Sequence, residues 1–188
     1  GSQSVGMLQE LAAAHPIVRD TFAEASEALG YDLWALVQGG PADDLNRTDR
    51  TQPAMLTAGV AVWRVWLELG GDRPGVLAGH SLGEYTALVC GGALDFAPAV
   101  KLVAERGRFM QEAVPAGQGA MAAVLGLDDD TVPAACARAA GGEVVEAVNR
   151  NAPGQVVIAG RRAAGERAID ELDAAGAKRA VPLPVCLP

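Results

Sequence analysis

Residues 79–83 read Gly79-His80-Ser81-Leu82-Gly83, a serine flanked by glycines two residues away on either side. They follow the apolar run Gly75-Val76-Leu77-Ala78 and precede a helix-forming stretch, Leu82 to Cys90. A serine at a tight turn into a helix stands clear of the backbone and faces the helix's positive dipole end. Such a hydroxyl can attack an acyl carbon, and the oxyanion that forms meets N–H donors already in place. A second group lies on the segment 95–113. Written as a helical wheel, Ala99, Leu102, Val103, Arg106, Phe109, Met110 and Ala113 share one face, with Lys101, Glu105, Arg108 and Glu112 on the other. Arg106 thus falls within an apolar stripe, where an unpaired guanidinium is costly. Two explanations stand side by side: an ion pair that serves the fold, or a planar fork that clamps a substrate carboxylate.

The elements that position these groups can be read from spacing. Residues 6–29 predict an amphipathic helical region broken at His15-Pro16, and Leu33 to Leu45 a loop with a short helix. Pro53 opens a long helix ending near Leu69, closed by Gly70-Gly71. Then come a strand at 75–78, the serine turn, the helix 82–90 and a helix capped by Asp95. Gly117-Gln118-Gly119 reads as a linker, and the pattern changes after it. Residues 120–125, 144–148, 155–159 and 178–185 predict strands. Thr131–Ala140 and Arg162–Ala175 predict helices, and Asn149 to Gly154 a turn. The order βαββαβ is that of a ferredoxin-like unit. The fold class is therefore α/β, with residues 1–116 as part of a large domain and 117–188 as a small one. A single strand in the first part implies that its sheet continues outside this chain.

Composition narrows the functions open to such a chain. It has 188 residues, half of them hydrophobic, with few aromatics and a formal charge of −8. Net acidity argues against nucleic acid as a partner. No apolar run approaches the roughly 20 residues of a membrane helix. Cys90, Cys136 and Cys186 are far apart in apolar settings, which reads as buried thiols in a reducing cytoplasm, with no metal or disulfide use. Asp128-Asp129-Asp130 precedes a helix and complements its dipole. His15, beside a proline, reads as a surface residue.

Several segments together resemble one family. Gly79-His80-Ser81-Leu82-Gly83-Glu84-Tyr85 is joined by Gly1-Ser2-Gln3-Ser4-Val5-Gly6-Met7, Thr51-Gln52-Pro53-Ala54 and Arg106-Gly107-Arg108-Phe109-Met110-Gln111. Gly119-Ala120-Met121-Ala122-Ala123 and the run from Asn149 to Gly160 follow. In this order they resemble bacterial malonyl-CoA:acyl-carrier-protein transacylase of type II fatty acid synthesis. The resemblance implies a hydrolase-like α/β acyltransferase domain carrying a ferredoxin-like insert. It implies Ser81 as nucleophile, the Leu82 N–H as an oxyanion donor and Arg106 as the clamp on the malonyl carboxylate. His80, Gln52, Met110, Met121, Asn149 and Asn151 would line the substrate pocket, although Gln52 and Met121 read equally as packing residues and the asparagines as turn formers. The family's second oxyanion donor is a glutamine of a G-Q-G-S-Q turn, and this chain begins at that turn's second glycine. The family's catalytic histidine follows the strand that ends here at Pro188. Both are expected outside this sequence, so the chain reads as truncated at each end.

The implied reaction moves malonyl from malonyl-CoA to the phosphopantetheine thiol of acyl carrier protein, through a seryl ester. Coenzyme A is then a substrate, and no cofactor or metal is expected. The enzyme is expected to be a cytoplasmic monomer that binds no nucleic acid or membrane. Arg161, Arg162, Lys178 and Arg179 sit at element ends and read either as a carrier-protein patch or as solvated charges. Rival readings are a serine esterase or thioesterase, which leaves Arg106 unexplained, and an inactive fragment that only docks carrier protein.

Overall fold

The computed structural model describes residues 2–113 and 117–183. The chain divides into two compact units, Gly1–Phe109 and Met110–Pro188. In the first, α1 (Gln9–Ala14) and α2 (Ile17–Leu29) flank the break at Pro16. The segment expected as mostly loop holds two helices, α3 (Leu33–Gly39) and α4 (Ala42–Asn46). Asp32 caps α3, its Oδ1 accepting from the Ala35 N–H at 2.8 Å. Next come α5 (Thr48–Glu68), α6 (Leu82–Cys90) and α7 (Phe96–Ala113), which begins in the first unit.

Helix α5 is the spine of this unit and packs against α2, α4 and α6. Its buried positions run from Thr48 through Gln52, Leu56, Val60 and Ala61 to Val65. It starts five residues before Pro53, because Thr51 N–H already bonds to the Arg47 carbonyl at 2.7 Å. Pro53 therefore sits in the second turn, where its missing N–H leaves the Asp49 carbonyl without its helical donor. Helices α5 and α6 come close at Gly59, where a Cβ would lie 2.8 Å from Thr86 Cγ2. The core joins Phe22, Leu33, Leu45, Leu56, Val100 and Val103, all at most 1% exposed.

Two expectations for this unit need correction. No strand forms at 75–78: the segment has no ladder partner among the described residues, and Val76 is 83% exposed. An extended segment becomes a strand only when a neighbour takes up its N–H and C=O groups. The buried face of α7 is also rotated from the expected one. It consists of Phe96, Ala99, Val100, Val103 and Gly107, while Leu102, Phe109 and Met110 are exposed. Arg106 thus lies at the edge of the packed face, half-buried.

The second unit holds β1 (Gly119–Leu125), α8 (Thr131–Ala139), β2 (Val145–Ala152), β3 (Gln155–Arg161), α9 (Arg162–Ala174) and β4 (Arg179–Pro182). The strands form one antiparallel sheet in the order β2-β3-β1-β4. Its core is Ala122, Val124, Val132, Val156, Ile158, Ala168 and Leu172. Asn149 and Asn151 lie within β2, not in a turn, because the hairpin narrows to Pro153-Gly154. Register shifts at Ala147/Asn149 and Arg150/Ala152 accommodate them. Arg161 Nη1 donates to Gln118 Oε1 at 2.6 Å, and Arg162 Nε to the Gly117 carbonyl at 3.0 Å, so both side chains hold the turn before β1. The end of the expected last strand, with Cys186, lies outside the described residues.

Candidate active site

Ser81 is the residue just before α6, with φ 55° and ψ −114°. An L-residue with positive φ is strained, and Ser81 shares the condition only with Leu8 among the described non-glycine residues. The turn is tied by Gly83 N–H to the His80 carbonyl at 2.9 Å and by Glu84 N–H to the Ser81 carbonyl at 3.2 Å. Gly79 has no room for a side chain, since a Cβ there would run into the Gly83 carbonyl carbon and oxygen. Gly83 itself faces open space, so the turn requires a glycine only at position 79. Leu82 N–H, first of the helix, makes no hydrogen bond among the described residues. Helix geometry leaves this donor without an intrahelical partner, and it points from the same end of α6 that presents Ser81.

Arg106 reaches this turn from α7. Its Nη2 donates to Ser81 Oγ at 2.9 Å, and its Nη1 to Gln52 Oε1 at 2.6 Å. The Tyr85 ring lies 5.7 Å from its Cζ, within the range of a cation–π contact. Gln52, 4% exposed on α5, passes its Nε2 to Thr48 Oγ1 at 2.9 Å. Three of the five guanidinium N–H donors of Arg106 remain without a hydrogen bond among the described residues. No carboxylate pairs with it among those residues. A guanidinium cannot accept a proton at ordinary pH. Arg106 can hold or polarise the serine oxygen, but the base that deprotonates it is another group.

The approach of α7 to α5 rests on Gly107. A Cβ there would sit 2.5 Å from the Thr48 carbonyl oxygen and 2.7 Å from Asp49 Cα. The chain can therefore bring Arg106 close to Gln52 only because its neighbour has no side chain. Spacing alone singles out neither Gly107 nor Thr48. The four-residue step from Thr48 to Gln52 was the available signal, since i, i+4 residues meet on a helix.

The other sequence candidates are spread more widely. His80 precedes the serine and is exposed. Met110 is 37% exposed and begins the second unit. Met121 lies on β1 in that unit, half-buried, beside a cavity of about 160 Å³ that Val145, Ile158 and Ile169 also line. Asn149 is half-buried and Asn151 exposed on β2. Burial pushes the Cys90 and Cys136 thiols above their usual range. Asp128 accepts from the Thr131 hydroxyl at 2.7 Å and from its N–H at 2.8 Å, which together hold its carboxyl below the usual range. It ties the residues that lead into α8, whose N-cap position is Asp130, and no cluster of metal-ligating side chains is found among the described residues. No helix among them is long and apolar enough to cross a membrane.

Comparison with known proteins finds relatives over the whole chain. Residues 1–185 match the family described as "Acyl transferase domain". The malonyl CoA-acyl carrier protein transacylase of Escherichia coli K12 is 65% identical over 188 residues, covering all of this chain and 61% of that protein. The enzyme of the same description from Bacillus subtilis is 46% identical, with 59% of it covered. A crystal structure of an acyl carrier protein S-malonyltransferase from Vibrio cholerae superposes with a TM-score of 0.95 at 64% identity, again over the whole chain and 61% of that one. A malonyl-transacylase solved in complex with its type II PKS acyl-carrier protein gives 0.96 at 60% identity, over the whole chain and 61% of its own. The chain thus spans about three fifths of the length of the curated relatives it matches.

Proposed function

The chain belongs to the acyl transferase domain family, and from that premise we propose that it carries the nucleophile and carboxylate clamp of a malonyl-CoA:acyl-carrier-protein transacylase. The observation that bears the reading is Arg106, which donates to Ser81 Oγ at 2.9 Å while Gln52 steadies its other nitrogen. One methylene separates the acyl carbon of a malonyl group from its carboxylate. A guanidinium bonded to the attacking oxygen is therefore within reach of that carboxylate, and a planar fork suits it. An esterase for neutral acyl groups gives such a charge nothing to bind.

Ser81 Oγ bonds to the thioester carbonyl carbon, and the carbon–sulfur bond then breaks. Coenzyme A leaves as a thiol with the proton that left Ser81. The developing oxyanion is met by Leu82 N–H at the α6 terminus. In the second half, the phosphopantetheine thiol of the carrier protein attacks the seryl ester, and Ser81 regains its proton. Coenzyme A is a substrate throughout, and the steps need no resident cofactor. His80, Met110, Met121, Asn149 and Asn151 would shape the space for acyl group and pantetheine arm.

The same reading extends to organisation. Residues 1–116 would form part of a hydrolase-like domain, whose neighbouring strands give 75–78 its ladder. Residues 117–188 would form a ferredoxin-like insert; the βαββαβ order and the strand order β2-β3-β1-β4 support this. The enzyme would act as a cytoplasmic monomer in fatty acid synthesis.

The test uses a polypeptide of the relatives' full length that carries this chain. Labelled malonyl-CoA is mixed with it, quenched, and the label mapped by peptide mass. Label is expected on Ser81 and absent from Ser81→Ala; stable label elsewhere refutes the role. Arg106→Ala is expected to lower malonyl transfer by on the order of a hundredfold and acetyl transfer far less. Equal losses for both substrates would reduce Arg106 to a packing residue.

A further inference from the structure

The proposed clamp depends on a buried amide whose orientation must be set by something other than its shape. The two ends of the Gln52 amide are nearly the same size, but one only accepts hydrogen bonds and the other only donates. Arg106 Nη1 meets the accepting end, Oε1, at 2.6 Å. Turned over, the amide would present its own N–H hydrogens to a cation that can only donate. On the far side Nε2 donates to Thr48 Oγ1 at 2.9 Å; a hydroxyl can donate as well as accept, so Arg106 selects which way the amide faces and Thr48 anchors its far end. Thr48 is 6% exposed and Gln52 4%, so water offers little substitute for this bond.

Thr48 is also fixed relative to Arg106 by a second route. Its carbonyl lies against Gly107, the next residue on α7 after Arg106, in a contact too close for any side chain. Four residues thus close a ring between two helices: Arg106 to Gln52, Gln52 to Thr48, Thr48 to Gly107, and Gly107 back to Arg106. We propose that Thr48 is a positioning residue for carboxylate selection, its hydroxyl oxygen fixing the Gln52 amide so that Arg106 is held against Ser81. Thr48 touches no substrate atom. It acts through Gln52 and then through Arg106, so its removal tells on substrates with a second carboxylate.

The proposal rests on the assignment of Arg106 as a carboxylate clamp, and the experiment separates the two. Thr48→Val keeps the shape and removes the acceptor, leaving a buried Nε2 donor without this bond. In the full-length form, Thr48→Val is expected to lower kcat/KM for malonyl-CoA about tenfold and that for acetyl-CoA less than about twofold. Thr48→Ser, which keeps the hydroxyl, is expected to restore malonyl transfer to within about twofold of the parent. Should the valine variant fail to fold, Thr48→Ala also lacks the acceptor, and the same ratio of substrates is read from it. An unchanged ratio in whichever variant folds, or an equal loss for both substrates, overturns the proposal. So does failure of serine to rescue. Arg106→Ala runs alongside: if it leaves the malonyl-to-acetyl ratio unaltered, the clamp itself is wrong, whatever Thr48 does.

Discussion

Gly107→Ala tests the contact on which the site is built. Within an 18-residue helix, glycine to alanine should stabilise by about 1 kcal/mol, because glycine loses more backbone freedom on folding. Here the added Cβ would stand 2.5 Å from the Thr48 oxygen, 2.7 Å from Asp49 Cα and 2.8 Å from Asp49 N. Ordinary contact between such atoms is about 3.5–4 Å, so the helices must part by about 1 Å. All three obstacles are backbone, and none can rotate aside. Overpacking costs about 1–3 kcal/mol, and rigid obstacles argue for the upper end. After the propensity gain the net loss is about 2 kcal/mol, or roughly 3 °C in melting midpoint for the longer full-length form. Activity should fall further. A shift of about 1 Å stretches the Arg106–Gln52 bond from 2.6 Å to about 3.6 Å, beyond hydrogen-bonding range. Misplacement of that size can cost up to about a hundredfold in rate. The assays are thermal melting and malonyl transfer on the full-length form. An unchanged or raised midpoint with full activity would refute the reasoning, since α5 and α7 would then have room between them.

Three further outcomes follow from the same geometry. Gly83→Ala should melt at or above the parent temperature, because its Cβ would meet nothing within 4 Å, whereas Gly79→Ala should melt well below it; the same ordering of the two by calorimetry checks the turn. Cys90 and Cys136, buried and held protonated, should resist iodoacetamide at pH 8 until denaturant is added, as read by peptide mass; rapid alkylation in the native state would contradict their burial. Asp128 has a folded pKa below its unfolded value of about 4. Its contribution is present above that pH and is lost as pH falls through the folded value. Asp128→Ala should therefore lower the melting midpoint at pH 7 and narrow the gap to the parent on acidification, and a gap that is constant down to pH 2 would show that its charge contributes nothing.

Much of this molecule is legible where local pattern and tertiary packing agree. Helices α6 and α9 and the strand-helix alternation after Gly117 follow from apolar period and glycine stops: α6 has its expected bounds, those of α8, α9, β1 and β3 differ by at most two residues, and β2 runs on past the expected 148 to Ala152. Ser81 and Arg106 stand out because a serine between glycines and a cation among apolar residues both conflict with their surroundings. The failures share a cause. Val76 and Leu77 look like a strand, but a strand is a relation between segments, and nothing described here pairs with them. Leu102 and Phe109 look like core on a wheel, but the wheel cannot say which part of an apolar arc meets α5; Gly107 decides that, through an approach visible only in three dimensions. Asn149 and Asn151 look like turn residues, yet register shifts let β2 carry them. Thr48 carries no local signal beyond its spacing from Gln52.

The strained turn has a genetic consequence. Glycine adopts φ 55° and ψ −114° without the penalty of roughly 1–3 kcal/mol that a side chain brings. Replacing Ser81 by glycine therefore removes the proposed nucleophile while relaxing the backbone that presents it. Such an allele would lose the proposed transfer yet accumulate as well as the parent or better, so a screen that scores abundance or heat resistance would count it neutral or improved. Ser81→Ala keeps the strain and offers no such gain. Selection for a stable fold and selection for chemistry pull in opposite directions at this one codon, and serine persists there only while its hydroxyl is in use.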